Sequence, residues 1–302
     1  MTLWVKRQRF SDPVSATCGW LESRRKDSMA IEFRGVTKRF PDDTVAVDEF
    51  TLVIPAHKTT VLVGSSGCGK TTLLRMINRL VEPTSGEITI DGESIADRDP
   101  VQLRRGIGYV LQNAGLLPHF TVIDNIATVP VLTGVAKAQA RERALELMDV
   151  VGLDRALAER YPAQLSGGQQ QRVGVARGLA VDPNILLMDE PFGAVDPIVR
   201  KELQAETIRL QRDLDKTIVF VTHDIDEAFL LGDQVVILEK GAHIAQIGTP
   251  SEIIENPASE FVASFIGADR GVRALREKKT PRGTVLVDAD GRTQGVLVEE
   301  AP

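Results

Sequence analysis

The run Gly64-Ser65-Ser66-Gly67-Cys68-Gly69-Lys70-Thr71 has the spacing G-x-x-x-x-G-K-[ST], with a further hydroxyl at Thr72. Glycines in such a loop let backbone N–H groups wrap an anion closely. A lysine at the seventh position reaches β- and γ-phosphates, and the hydroxyl after it can hold Mg²⁺. The motif needs a strand before it and a helix after it. Both flanks are present: Thr60-Val61-Leu62-Val63 is a short apolar strand, and Thr71 to Leu80 reads as a helix.

Three further positions offer chemistry at predicted strand ends. Asp189-Glu190 follow the apolar run Ile185-Leu186-Leu187-Met188. In open parallel sheets ligands sit beyond the carboxyl ends of strands. There Asp189 would help hold Mg²⁺, and Glu190 would polarise an attacking water. Adjacent carboxylates can also be a solvated turn, and the phosphate loop is what weighs against that here. Gln112 ends the strand Ile107 to Leu111, where a neutral amide can touch Mg²⁺ or the water; alone it reads equally as a surface glutamine. His223 ends the strand Ile218 to Val221, where an imidazole can donate to a γ-phosphate. A single histidine after a strand is more often structural.

The segment Leu165-Ser166-Gly167-Gly168-Gln169 opens a helix. Ser166 is a good N-cap, and the glycines allow close approach of backbone to an anion. A helix start offers unpaired N–H groups and the positive end of a dipole. A simple cap needs one residue rather than five. The phosphate that this surface faces is therefore read as ATP held by a second copy of the chain.

These residues require a scaffold, and the rest of the sequence supplies one. With 302 residues, 43% of them hydrophobic, and few aromatics, the chain has room for one large α/β domain plus appendages. Ile31 to Ile54 alternates around Pro41-Asp42-Asp43, which predicts antiparallel strands; Gly86 to Ile90 predicts another. From about 114 to 180 the pattern is helical, with Ala140, Ala144, Leu147, Met148 and Val151 at helix spacing. The near-continuous apolar runs 185–188 and 218–221 suit parallel strands covered on both faces, with a helix from about Pro197 to Leu214 between them. Val235 to Ile247 predicts a final hairpin, followed by short helices to about Ile266.

Residues 1–28 read as a disordered extension without a long apolar core, so they make a poor secretory signal. Residues 270–302 read as a weakly structured tail, with Thr284 to Val287 and Gly295 to Val298 able to pair as one hairpin. The net charge of −6 gives no reason to expect non-specific nucleic-acid binding. The cysteines are Cys18 and Cys68; a disulfide at a phosphate loop would be out of place, which points to a cytosolic, reduced protein. His57, His119 and His243 lack metal-ligand spacing and receive no catalytic role. No apolar stretch approaches the length of a membrane span, so a role at a membrane needs a partner.

With these residues assembled, the chain resembles the nucleotide-binding subunits of ABC transporters over roughly residues 30 to 270. The phosphate loop at 64–71, the glutamine loop at Gln112, the signature at 165–169, the acidic strand at 185–190, the loop Gly193-Ala194-Val195-Asp196 and the switch His223 each occur once, in the family's order. The resemblance implies a P-loop NTPase (RecA-like) core, an N-terminal antiparallel β subdomain and an inserted α-helical subdomain at about 114–180. It places the nucleotide-binding domain at 29–268, with a tail from 269 to 302. It also implies a head-to-tail homodimer with composite ATP and Mg²⁺ sites. Lys70, Thr71, Gln112, Asp189, Glu190 and His223 then come from one subunit, and Ser166 and Gly168 from the other. Phe40 matches the aromatic that stacks on adenine, though a phenylalanine before a turn is more often core. Asp196 would communicate across the dimer.

A narrower resemblance lies in Gly108 to His119, Asn125 to Pro130 and Asp189 to Ile198, which look like the importer branch for quaternary ammonium osmoprotectants. That branch takes up glycine betaine, carnitine, choline or proline. It implies integral-membrane permease subunits, an extracytoplasmic solute-binding protein and a peripheral place on the cytoplasmic face of the plasma membrane. Many members carry paired CBS modules after the ATPase domain; here the tail is too short for the pair, and 284–298 faintly resembles one CBS hairpin. Two alternatives remain. One is an importer ATPase for another small solute, such as an amino acid, sulfate or sugar. The other is a soluble ABC ATPase acting on nucleic acid or ribosomes, which the single uninterrupted domain and the acidic balance disfavour. A P-loop kinase would leave 165–169 without a purpose.

Overall fold

The computed structural model describes residues 30–193, 197–267, 276–280, 283–287 and 293–296. The predicted extension at 1–28, Cys18 and the loop residue Asp196 lie outside the described residues.

The strands are β1 (Ile31–Arg39), β2 (Val45–Ile54), β3 (Thr59–Gly64), β4 (Ser85–Ile90), β5 (Glu93–Ser94), β6 (Ile107–Val110), β7 (Ile185–Asp189), β8 (Thr217–Thr222), β9 (Gln234–Leu238), β10 (Ile244–Gly248), β11 (Arg276–Thr280), β12 (Gly283–Val287) and β13 (Thr293–Val296). The α-helices are α1 (Lys70–Ile77), α2 (Pro100–Arg105), α3 (Val122–Leu132), α4 (Lys137–Val150), α5 (Gly167–Leu179), α6 (Pro197–Leu214), α7 (Ile225–Leu231), α8 (Pro250–Glu255) and α9 (Glu260–Phe265).

The central six-stranded sheet has the order β10-β9-β3-β8-β7-β6. β6, β7, β8, β3 and β9 run parallel, and β10 closes one edge antiparallel. The continuous apolar runs of these strands now have a reason. A strand's side chains alternate between faces, and both faces here are covered. Val61, Val63, Leu186, Met188, Ile218 and Phe220 join the core that includes α3, α4 and α5. Leu62, Ile185, Leu187, Val219 and Val221 point the other way, into a core shared with α1 and the N-terminal strands. That second core includes Phe33 and Phe50, which meet edge to face with ring centroids 5.2 Å apart. Its outer layer is the antiparallel sheet β2-β1-β4-β5. The parallel sheet, the antiparallel N-terminal strands and the helical segment are those read from the sequence.

In the helical segment α4 buries the predicted stripe: Ala140, Ala144, Leu147, Met148 and the C-cap Val151 are each no more than 2% exposed. Each large side chain removed from water there contributes about 1.5–3 kcal/mol. α3 starts on Thr121, whose side chain accepts from the Asp124 N–H. The buried Asn125 amide donates to the Leu117, Phe120 and Thr121 carbonyls and its oxygen accepts from the Leu117 N–H. That pattern ties down the chain between the glutamine loop and α3.

Two readings change. The helix predicted to reach Leu80 ends at Ile77, because Arg79 takes φ 56° and the Leu80 and Val81 N–H groups turn back to the Arg75 carbonyl. The tail read as weakly structured contains a three-stranded antiparallel sheet, β11-β12-β13. The hairpin considered for it is present, with Val285 opposite Val296 and Leu286 opposite Gly295. The polar strand β11, Arg-Glu-Lys-Lys-Thr, has no apolar alternation to mark it in the sequence.

Candidate functional site

The site forms where β3, β7 and β8 end. Beyond β3 the phosphate loop curls around its own lysine. Lys70, only 4% exposed, donates from Nζ to the Gly64 carbonyl at 2.7 Å and the Ser65 carbonyl at 2.8 Å. Its remaining direction faces Cys68 Sγ at 3.8 Å, a weak acceptor that a phosphate oxygen would outcompete. The loop's curvature depends on missing side chains. A Cβ on Gly64 would lie 2.4 Å from the Leu238 carbonyl oxygen, and one on Gly69 would lie 2.4 Å from that of Ala46. Gly69 also sits at φ 114° as the N-cap of α1, with no side chain capping that helix. The helix start therefore keeps its N–H groups for an anion, as a triphosphate requires. Thr72 follows in the first turn of α1. Cys68 is free and buried, a small filler against the core.

Beyond β7 the acidic pair divides its tasks. Asp189 is 6% exposed, and its Oδ1 accepts from Thr71 Oγ1 at 2.9 Å. Tyr109 OH lies 3.4 Å from Oδ2, and the Arg75 guanidinium is 3.8 Å from the same oxygen. Burial pushes the Tyr109 hydroxyl above its usual range, and the Asp189 charge adds to that. Thr71 and Asp189 are hard oxygen donors on adjoining elements, and Gln112 adds an amide oxygen; that donor chemistry fits Mg²⁺.

Glu190 leaves the strand with φ 44°, a left-handed conformation that costs a non-glycine residue about 1–2 kcal/mol. Its N–H donates to the Val221 carbonyl and its carbonyl accepts from the Gly193 N–H, which hold the turn. The turn aims the carboxylate at two side chains. Glu190 Oε2 accepts from Gln112 Nε2 at 3.3 Å and from His223 Nδ1 at 3.1 Å. That contact assigns the proton of a neutral imidazole to Nδ1. A carboxylate held between an amide and an imidazole, beside an oxygen-donor pair and a phosphate loop, can take a proton from water.

The signature sits apart from this cluster, on α5. Ser166 caps the helix by accepting from the Gln169 N–H, while the Gln169 side chain accepts from the Ser166 N–H. Ser166 and Gly167 are exposed and Gly168 is buried. Phe40 ends in the turn between β1 and β2, half-buried, with Lys38 Nζ 5.3 Å from its ring centroid. His57 bonds to the Asp215 carbonyl, a structural contact. Among the described residues no cluster of His, Cys, Asp and Glu has metal-holding geometry of its own.

Sequence reasoning missed several supporting residues. Arg75 lies four residues after Thr71, so helix spacing already put both on one face. Glu227 carried no visible signal. It is 6% exposed behind His223, where Oε2 accepts from Thr222 Oγ1 at 2.7 Å and Oε1 accepts from Gln204 Nε2 at 3.2 Å.

The fold and this cluster define a P-loop ATPase cassette. The chain belongs to the ABC transporter family, whose profile matches residues 47–193. It is 50% identical over 265 residues to the glycine betaine/carnitine/choline transport ATP-binding protein OpuCA of Bacillus subtilis, covering 86% of this chain and 70% of that one. It is 51% identical over 246 residues to the glycine betaine uptake system ATP-binding protein YehX of Escherichia coli, covering 81% and 79%. Its match to the choline transport ATP-binding protein OpuBA of B. subtilis spans 64% of that relative's length. Among solved structures it superimposes on the dimeric bacterial ABC transporter cassette MJ0796 with TM-score 0.67 and 34% identity, covering 73% of this chain and 98% of that one. The same cassette bound to ADP and Pi gives TM-score 0.66 at 33% identity.

Proposed function

We propose that the chain is the ATP-hydrolysing subunit of an importer for osmoprotectants, namely quaternary ammonium compounds such as glycine betaine, carnitine or choline, or the amino acid proline. The observation that carries the ATPase reading is the Glu190 carboxylate, fixed between Gln112 and His223 next to the Thr71–Asp189 pair. The names of its relatives support the solute class.

In this reading the loop N–H groups from Gly64 to Thr72 and the Lys70 ammonium bind the phosphates, and Phe40 stacks on adenine. Thr71, Asp189 and Gln112 would hold Mg²⁺, which neutralises charge on the transferring phosphoryl group. Glu190 accepts a proton as water oxygen bonds to the γ-phosphorus; the bond to the β-phosphate oxygen breaks and ADP leaves. With nucleotide bound, the His223 ring turns from Glu190 and donates its one N–H to the γ-phosphate instead.

A single chain leaves the nucleotide open on one side. The N-terminus of α5 in a second copy, with Ser166, Gly167, Gly168 and Gln169, completes the site, and Asp196 would communicate across the dimer. The homodimer works on permease subunits at the cytoplasmic face of the membrane, supplied by an extracytoplasmic solute-binding protein, and does not act on nucleic acid. ATP bridges only the closed pair, so binding shifts the population to that state and hydrolysis releases it.

The test is uptake of labelled glycine betaine, carnitine, choline and proline into proteoliposomes holding the chain with its co-purified membrane subunits and binding protein. ATP-driven uptake of one of them, lost in Glu190→Gln, supports the reading. Uptake of a sugar, sulfate or an amino acid other than proline, with none of these four taken up, contradicts the solute class.

A further inference from the structure

Two side chains of α5 hold the loop that carries Gln112. Arg177, in the last turn of the helix, donates from Nη1 to the Gly115 carbonyl at 2.7 Å and from Nη2 to the Ala114 carbonyl at 2.6 Å. Burial pushes its guanidinium below the usual arginine range. Two loop carbonyls accept from this half-buried cation. One turn and a half earlier, Gln171 is 3% exposed and donates from Nε2 to the Leu111 carbonyl at 3.2 Å. Between them the Gly174 backbone lies against the loop: a Cβ there would be 3.3 Å from Ala114 Cβ. Residues 171, 174 and 177 fall on one face of the helix by spacing alone.

The loop needs that grip. Ala114 and Gly115 are consecutive left-handed residues, with φ 53° and 55°. An alanine stays in that region only where its surroundings hold it there. The carbonyls of 111, 114 and 115 bracket Gln112, and all three are held by the same helix.

α5 therefore has two working ends. Ser166 caps one, and Arg177 grips the glutamine loop at the other. At 1.5 Å per residue the ends are about 16 Å apart on one rigid element. In the dimer proposed above, the Ser166 end touches the nucleotide of the other copy, whereas Gln112 serves the nucleotide of its own.

We propose that α5 is the strut by which each ATP site senses occupancy of the other, with Arg177 and Gln171 as positioning residues that set Gln112. This rests on the composite-site reading. When the partner's γ-phosphate draws in the helix start, the helix moves as a body, and the carbonyls bonded to Arg177 and Gln171 move with it.

The test uses Arg177→Met, which keeps the stem and removes both donors, beside Arg177→Lys and Gln171→Met. For each, ATP binding to the monomer, ATP-induced dimerisation on the Glu190→Gln background, and hydrolysis as a function of ATP concentration are measured. Arg177→Met should leave monomer affinity within about twofold and dimerisation intact. Its kcat should fall about tenfold or more, and the Hill coefficient should drop from above 1 to 1. Arg177→Lys should restore part of both, and Gln171→Met should shift both in the same direction by less. If Arg177→Met unfolds by circular dichroism, Gln171→Met carries the test. A lowered kcat with an unchanged Hill coefficient overturns the proposal, as does a parent protein with a Hill coefficient of 1. Failure of Glu190→Gln itself to dimerise with ATP sinks the composite-site reading first, and the strut with it.

Discussion

Thr71 and Asp189, 118 residues apart in the chain, meet with Oγ1 donating to Oδ1 at 2.9 Å. The loop after β3 and the end of β7 are brought together because both strands flank β8 in one parallel sheet. The contact brings together the two oxygen donors that would hold Mg²⁺ in the proposed function. ATP hydrolysis should therefore stop in excess chelator and return with Mg²⁺. Thr71→Ala should raise the Mg²⁺ concentration needed for half-maximal rate by about 10–100-fold. A titration of rate against Mg²⁺ measures this; an unchanged midpoint means the pair does not hold the ion.

Glu190 and His223 separate binding from turnover. Glu190→Gln keeps size and the contacts of an amide but cannot accept a proton. Its kcat should fall about 10²–10⁴-fold while ATP affinity stays within a few-fold, read by single-turnover hydrolysis and calorimetry. His223→Ala should also lower kcat, because the Glu190 carboxylate loses the donor at 3.1 Å. Near-normal hydrolysis in Glu190→Gln would place the base elsewhere.

Gly64 and Gly67 make a paired test of the phosphate loop. A Cβ at Gly64 meets the Leu238 carbonyl oxygen at 2.4 Å and Cys68 Sγ at 2.9 Å, and a strand backbone cannot give way. Gly64→Ala should cost about 1–3 kcal/mol of stability and abolish ATP binding. At Gly67 nothing lies within 4 Å, and only φ 79° opposes a side chain. Gly67→Ala should cost about 1–2 kcal/mol from backbone strain. Thermal melts with and without ATP rank the two; the reverse order would contradict the loop packing described.

Glu227 gives a pH dependence. Burial holds its carboxyl above the usual range; the Thr222 hydroxyl bond opposes that, Asp224 adds to it, and Arg200 and Gln204 oppose it. A carboxyl with a raised folded-state pKa binds its proton more tightly folded than unfolded. Its contribution is full below the unfolded pKa and is lost as pH rises through the folded one. Thermal unfolding of the parent should therefore lose ground to Glu227→Gln as pH is raised from acid toward neutral. Parallel curves would mean that the buried carboxyl carries no such shift.

The scaffold was legible because period-two and period-3.6 patterns report burial directly. Leu186 and Leu187 sit in one apolar run yet serve opposite cores, as a doubly covered strand requires. The Ala140 to Val151 stripe marked its buried face in the same way. The phosphate loop, Asp189, Glu190, Gln112, His223 and Ser166 were named from local spacing, and the sheet explains why the first five lie together. The left-handed turn at Glu190 has no sequence mark, since glutamate is not a residue that favours it. Arg177 and Gln171 were hidden because their partners are main-chain carbonyls about 60 residues away. Strand β11 was hidden by its charges.

The central claim is that each chain supplies the lid for its partner's nucleotide. Sedimentation of Glu190→Gln in Mg²⁺ with ATP, and again with ADP, tests it most directly. The account predicts dimers with ATP, monomers with ADP, and loss of the ATP dimer when Ser166→Arg is added to the exposed cap. A Glu190→Gln protein that binds ATP yet stays monomeric at high concentration, with its membrane subunits present as well, would contradict it.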